Sequence, residues 1–377
     1  LLRHVVTPRS DWQSRVERTG LTYHTLADGS PYWDESAYWE FTSAEIDRLE
    51  AATAEIQKLA LAAGEHILSH DRFTEMQIPA AAVERIRATW ETEPPALYGR
   101  LDLAFDGKQI KLLEYNADTP TALVEAAVTQ WAWLEERFPE ADQFNSLHEK
   151  LVAKWKELTA YLEQPVYFGY DGSEEDLMTT SYLRDTAQQA GHRTVSISMH
   201  EIGWEAAKSR FVDLGRQPMR SIFKLYPWEW LLNEPFGQHA LASIGDVQWM
   251  EPIWKMLWSN KALLAILWEL NPGHELLLPA YLDGPRNLKD YVRKPFFGRE
   301  GAGITVFRNW VADEGASDVT ATGDFLYQRL ASLASVDGNT AVIGSWLIDG
   351  EPAGIGMRES SGMVTTNTSR FVPHLFR

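Results

Sequence analysis

YGRLDLAFDGKQIKLLEYN, residues 98–116, is the stretch on which the reading of this chain turns. It predicts a β-hairpin across Asp106-Gly107, with Arg100 and Asp102 on one arm and Glu114 and Asn116 on the other. Two carboxylates, an amide oxygen and a guanidinium in so short a span suit a magnesium-bound polyphosphate. Mg²⁺ takes oxygen ligands and shares them with substrate phosphates, and arginine supplies a forked donor to phosphate oxygens. Neighbouring residues of a strand face opposite sides, so the turn decides whether the four can meet. A two-residue Asp106-Gly107 turn sends the two pairs to opposite faces. A three-residue loop Phe105-Asp106-Gly107, with Gly107 in the left-handed position of a bulge, brings all four to one face. The functional reading therefore predicts the bulged loop. The competing reading is a set of charged residues on the wet face of an edge hairpin.

A second basic constellation lies in Lys294-Pro295-Phe296-Phe297-Gly298-Arg299-Glu300-Gly301-Ala302-Gly303-Ile304. Its glycines follow a strand ending in Lys294 and let backbone N–H groups approach phosphate oxygens. Neither a Gly-Lys-Ser/Thr phosphate loop nor the dinucleotide fingerprint is present, so Lys294 and Arg299 on either side give the loop its specificity. Lys261, after Ser259-Asn260 at a predicted helix start, and Arg358, at the end of a predicted strand, are two more cations. Each alone reads as a solvated charge. A helix N-terminus already favours an anion, and lysine there runs against the usual preference.

Composition sets the limits. At 377 residues the chain has length for two or three domains, and 45% hydrophobic with 23% charged residues is ordinary for a globular protein. A net charge of -18 argues against nucleic-acid or anionic-membrane partners. Screening over about 8 Å leaves a local cationic cleft free to bind a nucleotide. With no cysteine, disulfides, thiolate metal sites and a cysteine nucleophile are excluded. Leu1-Leu2-Arg3-His4 carries no signal-peptide pattern and reads as the continuation of a trimmed chain, and no apolar run suffices for a membrane span, so a cytoplasmic protein is expected. The histidines lack paired metal spacing, and no nucleophile elbow supports hydrolase chemistry. The 16 tryptophans include Trp228 and Trp230 near Trp254 and Trp258; a sugar platform is the minor reading, because large aromatics mostly fill cores.

Periodicity predicts helices over 43–70, 80–92, 122–137 and 143–163, with Pro120 well placed near a helix start. From Gln164 the texture changes. A strand over 165–170, a loop 171–176, a helix to 190 and a strand over 193–197 form a right-handed parallel unit. Further strands are read over 222–226 and 291–295, a helix over 261–270, and a hairpin of 340–347 with 353–358 around Asp349-Gly350. The expected division is 1–163, an N-terminal helical part with the metal hairpin; 164–255, an α/β substrate-side domain; and 256–377, the nucleotide-binding part.

Four runs make the sequence recognisable: YGRLDLAFDGKQIKLLEYNADTPTALVEAA, EPIWKMLWSNKALLAILWELNPGHE, YVRKPFFGREGAGI and IGSWLIDGEPAGIGMRES with SRFVPHL. From about Tyr32 onward the chain resembles the glutathionylspermidine synthase family, above all its stand-alone, synthetase-only acid–amine ligases. The resemblance implies an α+β, α/β architecture: a circularly permuted ATP-grasp fold with an inserted small parallel α/β domain of pre-ATP-grasp type. It implies ATP and two Mg²⁺ ions, the metals held by Asp102, Glu114 and Asn116, with Arg100 on the transferring phosphoryl group. Lys261 and Lys294 would bind the nucleotide, with Arg299, Glu300, Gly301 and Gln328 beside it, and Arg358 would stabilise an acyl phosphate. Thr119, Thr121 and Glu125 match positions that contact the peptide acid, and Glu174 and Glu175 an acidic pair that receives the amine. The bifunctional members carry an N-terminal Cys-His amidase domain that has no counterpart here. Where another acidic residue for the polyamine is expected, the register places Arg370, whose guanidinium would repel a polycation and favour an amine that also carries a carboxylate. The implied activity joins a small-molecule or peptide acid to an amine. The rival readings are an ATP-dependent small-molecule kinase on the same fold and a non-catalytic scaffold.

Overall fold

A computed structural model describes residues 1–299, 301–313, 324–362, 364–366 and 369–377. The hairpin strands Tyr98–Phe105 and Ile110–Asn116 join the C-terminal strands Asn339–Ile348, Glu351–Ser360 and Arg370–Val372 in one antiparallel sheet. Gly344 pairs with Asp102, and Arg358 pairs with Val342 on one side and Phe371 on the other. Segments far apart in sequence are thereby laid side by side, and the cationic strand ends meet the metal-type hairpin within one layer.

The hairpin reaches its register by an unexpected route. The three-residue loop Phe105-Asp106-Gly107 does not form. Phe105 pairs with Ile110, which leaves the four-residue loop 106–109. Asp106 Oδ1 accepts from the N–H groups of Lys108 (2.8 Å) and Gln109 (2.7 Å), and Gly107 takes φ +87°. A carboxylate that binds the backbone two and three residues ahead stabilises this wider turn in place of the tight one. With that loop alone, the polar pairs would face opposite ways. Parity is restored further along: Leu103 pairs with Leu112 but Asp102 pairs with Glu114, so Leu113 is the extra residue of a β-bulge. Leu101, Leu103, Leu112 and Tyr115 then enter the main core, while Arg100, Asp102, Glu114 and Asn116 share the other face and line one cleft.

The expected parallel unit is present. Val166–Tyr170 and Thr194–Ser198 pair in parallel across the helix Glu174–Gln189, and Ser221–Leu225 and Gln248–Met250 extend the sheet to four strands. A five-stranded antiparallel sheet carries Tyr291–Pro295 and Phe325–Arg329. The long helix Ser43–Ser69 starts at the residue its periodicity gives. Thr42 is the cap, with the Glu45 N–H donating to Thr42 Oγ1 and the Thr42 N–H to Glu45 Oε2. Ile46, Leu49, Ile56, Ala60, Ala63 and Ile67 recur at helical spacing and are buried against the sheet.

Three helices depart from their periodicity. The expected helix over 143–163 is shortened to Leu147–Leu158, because 143–146 lie against the last hairpin, where the Ser146 N–H donates to Ala353 O at 2.7 Å. Over 122–137 the chain opens with Ala122 at φ +65° and a π-helical turn Glu125–Thr129 before the α-helix Gln130–Arg137. The expected helix over 261–270 begins at Leu263, so Lys261 precedes it and its N–H is spent on Phe296 O at 3.0 Å. Trp33, Trp39, Trp133, Trp155, Trp228 and Trp346 are fully buried core material, whereas Trp230 is exposed beside Trp228. No helix among the described residues is long and apolar enough to cross a membrane.

Candidate active site

A cleft of about 560 Å³ opens where the hairpin face, the glycine loop and the end of the parallel sheet converge. Arg100, Lys261 and Lys294 lie on its walls, each less than a tenth exposed, and Arg358 joins them from the strand Glu351–Ser360, two strands away from Arg100 in the sheet. Opposite residues of an antiparallel pair stand close together, so Asp102 and Glu114 would repel each other without nearby cations. Arg100 grips Asp102 with Nε at 2.7 Å and a second guanidinium nitrogen at 3.2 Å, donates to Thr121 O at 2.8 Å, and lies over the Trp346 ring. Lys261 Nζ stands 3.2 Å from Glu114 Oε2. Burial would raise the Glu114 carboxyl, yet Lys261, Lys294 and Arg100 hold it down at about 2. Burial lowers the Lys294 ammonium to about 8 against the pull of Glu114 and Asp102.

The bulge joins the hairpin to the five-stranded sheet. Lys294 Nζ donates to Leu113 O at 2.8 Å and to Gln328 Oε1 at 2.9 Å, and Gln328 Nε2 donates to Leu112 O at 3.0 Å. Lys261 Nζ also reaches Gly298 O at 2.5 Å, which ties the glycine loop to the hairpin. Gly301 takes φ +75°, and a Cβ there would stand 2.7 Å from Thr365 O, so only glycine fits against the 364–366 segment. Glu300 lies outside the described residues.

As a metal cradle the hairpin offers oxygen only. Among the described residues no three His, Cys, Asp or Glu side chains cluster as a closed metal site. Asp102, Glu114 and Asn116 line one cleft, with the Asp102 oxygens on Arg100 and Glu114 Oε2 beside Lys261, and an oxygen set of this kind suits Mg²⁺, since that ion commonly completes its coordination with substrate phosphates and water. The donor set fits the implied metal.

Thr119 and Thr121 stand on the cleft wall. Arg299 lines the same cleft. It donates to Thr119 Oγ1 at 2.6 Å, pairs with Glu229 Oε1 at 3.0 Å and lies over the Trp230 ring. Glu174 and Glu175 line the cleft with Asp171 and Asp176. Burial, reinforced by Asp171 and Glu175, pushes the Asp176 carboxyl up to about 7. Glu125 is fully buried and is not among the residues that line the cleft; its Oε1 accepts from Tyr32 Oη. Arg370 corrects the expectation made for it. It is absent from the cleft lining, and its guanidinium is taken up by Asp34 Oδ2 (2.8 Å), Glu359 Oε2 (3.2 Å) and Asn339 Oδ1 (2.5 Å). The electrostatic objection to a polycationic amine therefore falls away.

Several supports were missed in the sequence. Asp118 is buried and paired with Lys224 Nζ at 2.7 Å while accepting the Trp228 N–H at 2.9 Å. Ser259 Oγ accepts the N–H groups of Ala117 and Asp118. Glu229 and Trp230 also line the cleft. Lys224 did leave a signal: a lysine inside Ile222-Phe223-Lys224-Leu225-Tyr226 must be paired if that strand is buried. The room for Arg100 comes from Gly344, where a Cβ would stand 2.9 Å from Arg100 Cδ. Gly344→Ala is expected to push the guanidinium off Asp102 and lower turnover about tenfold or more. Urea unfolding should move much less, and unchanged turnover would show that the close fit is immaterial.

The fold has a solved counterpart. A glutathione synthetase-like effector of Globodera pallida superposes with a TM-score of 0.52 over 99% of this chain and 98% of that one, at 9% identity. This is a mixed α/β fold of glutathione synthetase type. In sequence, a Haemophilus influenzae protein named "Putative acid–amine ligase" is 40% identical across 98% of this chain and 97% of its own length. The bifunctional glutathionylspermidine synthetase/amidase of Escherichia coli is 26% identical across 90% of this chain and 59% of its own length. Residues 3–377 match the family described as glutathionylspermidine synthase preATP-grasp, and the chain belongs to that family.

Proposed function

We propose that this protein is an ATP- and Mg²⁺-dependent carboxylate–amine ligase of glutathionylspermidine synthetase type, forming an amide bond through an acyl phosphate. One observation carries the reading: a single cleft joins a cationic wall of Arg100, Lys261, Lys294 and Arg358 around paired carboxylates to an acidic wall of Asp171, Glu174, Glu175, Asp176 and Glu229. A polyphosphate and a carboxylate suit the first wall, and a cationic amine suits the second. The proposed architecture is the permuted ATP-grasp order. Residues 1–163 bring the metal hairpin, 256–377 the rest of the nucleotide site, and 164–255 the inserted substrate-side unit.

In this reading Asp102, Glu114 and Asn116 hold two Mg²⁺ ions, which would neutralise phosphate charge and orient the γ-phosphoryl group. Lys261 and Lys294 hold ATP phosphates, and Gln328 fixes the Lys294 ammonium. Gly301 lets the loop backbone come close to the nucleotide. Arg100 meets the transferring phosphoryl group, where catalysis is positioning plus charge stabilisation. Thr119 and Thr121 orient the acid, Arg358 steadies the acyl phosphate, and Glu174 and Glu175 receive the ammonium end of the amine.

The test is phosphate release from ATP with a panel of peptide and small-molecule acids, each with and without amines, with the product read by mass. An ATP-dependent product at the summed mass of acid and amine less water is expected. A stable phosphorylated acid that never yields amide would make the protein a kinase. No ATP consumption with any pair would make it a scaffold.

A further inference from the structure

Glu125 opens the π-helical turn Glu125–Thr129, a conformation frequent at functional sites. Just before it, Ala122 sits at φ +65°, a left-handed conformation that costs a non-glycine residue free energy. The Glu125 carboxyl is fully buried. Its Oε1 accepts from Tyr32 Oη at 2.7 Å, and its Oε2 finds no partner among the described residues. The Nε of Arg358 is buried and unpartnered in the same sense, although another guanidinium nitrogen donates to Thr366 O at 2.6 Å. Leaving either group unsatisfied is costly, so two such atoms in one neighbourhood call for a common explanation.

The neighbourhood is tightly drawn. The carbonyl of Tyr32 accepts the N–H of Phe371 at 2.7 Å, and Phe371 is the register partner of Arg358. Ala126, beside Glu125, packs against Gly356, two residues before Arg358 on the same strand face; a Cβ on Gly356 would stand 3.4 Å from it. A cavity of about 10 Å³ beside Arg358, lined by Ala122, Gly356, Phe371 and Arg100 but not by Glu125, leaves the guanidinium space to shift. The charged and titratable groups that act on Glu125 are Tyr32, Glu175 and Arg358, and Tyr32 in turn acts on Arg100.

We propose that Glu125 is a positioning residue for Arg358: the charge of its ionised carboxylate, one oxygen of which is left free, draws on the Arg358 guanidinium and holds it toward the reacting phosphoryl group. Protonation of Glu125 releases that hold. The proposal rests on the ligase reading only for what Arg358 does once held. Burial pushes the Glu125 carboxyl up to about 7, against the Tyr32 hydrogen bond and the Arg358 charge and with the help of Glu175. The folded protein therefore favours the protonated acid. The stability this gives is complete below the ordinary carboxylate range and is lost as pH rises through about 7.

Two readouts test it. The first is the unfolding midpoint of wild type and Glu125→Gln between about pH 5 and about pH 9, in the native and the Arg358→Gln backgrounds. The glutamine variant should gain on the wild type as pH rises, and the gain should level off near pH 7. With Arg358→Gln the cation that favours the carboxylate is gone, and the gain should continue to higher pH. The second is the pH profile of phosphate release. The wild type should rise through an acid limb near pH 7. Glu125→Gln should lack that limb and lose about 10- to 100-fold in kcat with the KM for ATP kept. A pH-independent gain, an unmoved plateau in the Arg358→Gln background, or an acid limb retained by Glu125→Gln would overturn the proposal. Should the wild type release no phosphate with any acid and amine, the ligase reading falls, and the unfolding midpoints alone still decide the Glu125–Arg358 coupling.

Discussion

Arg100→Ala is expected to lower ATP-dependent phosphate release about 10²–10³-fold, the usual consequence of deleting one donor aimed at developing charge. The size follows from how completely this guanidinium is pre-positioned. It is buried, and Asp102, Thr121 O and the Trp346 ring each hold it. Burial opposes its charge, but Asp102 and Glu114 outweigh burial and keep it cationic. Such a group needs little reorganisation when charge moves onto a phosphoryl oxygen. Arg100→Lys is expected to recover only part of the loss, since one ammonium cannot both fork onto Asp102 and reach Thr121 O. The control is urea unfolding: a shift too small to unfold the chain under assay conditions assigns the loss to chemistry. Wild-type turnover in Arg100→Ala would remove this residue from the reaction.

How much of this was written in the sequence is best judged from Asp-Gly, which occurs in both hairpins. At Asp349-Gly350 both residues take positive φ (53° and 77°), and the strands close through Ile348 and Glu351 as a two-residue turn. At Asp106-Gly107 the same dipeptide opens into four residues, because the Asp106 carboxylate captures two N–H groups ahead of it. Local sequence names the hairpin but not its register. The register came from Leu113, whose extra place in the strand is held by Lys294 and Gln328 from another sheet, a tertiary cause that no local pattern contains. That the four polar residues share a face was legible. The device that puts them there was not.

The same division explains the other differences. The short helix 80–92 and the parallel strands around 166–198 were legible because their apolar spacing is met locally. The π-helical turn at Glu125 was not, because it answers to Tyr32 and to the strand that carries Arg358, a long way off along the chain. By the family resemblance Arg370 reads as an amine-repelling charge. Its true surroundings, Asp34 and Glu359, are set by the pairing of Arg370–Val372 with Glu351–Ser360, a contact that charge type alone does not reveal. Arg370 therefore does not offset the carboxylates that line the cleft.

Lys224→Met is expected to destabilise the fold by about 3–5 kcal/mol, more than a typical point substitution. The lysine sits in a buried parallel strand, fully shielded, with its ammonium on Asp118 Oδ1 at 2.7 Å and Tyr226 O at 2.9 Å and over the Trp228 ring. Burial lowers its affinity for a proton, and Asp118 only partly restores it. The intact pair is therefore a modest source of stability, and the cost of the variant comes from the carboxylate left behind without a counter-charge. This distinction gives the test its edge. In Lys224→Met with Asp118→Asn the stranded charge is gone, while the amide oxygen can still accept the Trp228 N–H, so most of the loss should return. Urea unfolding of the two single variants and the double variant measures it. A single-variant loss below about 1 kcal/mol, or a double variant no better than Lys224→Met, would overturn the account. Asp118 also ends the segment that follows Asn116, and Ser259 Oγ holds its N–H. Loosening it moves Thr119, and through Thr119 the Arg299–Glu229 bridge, so Lys224→Met should raise the KM for the acid more than the KM for ATP even where the protein remains folded.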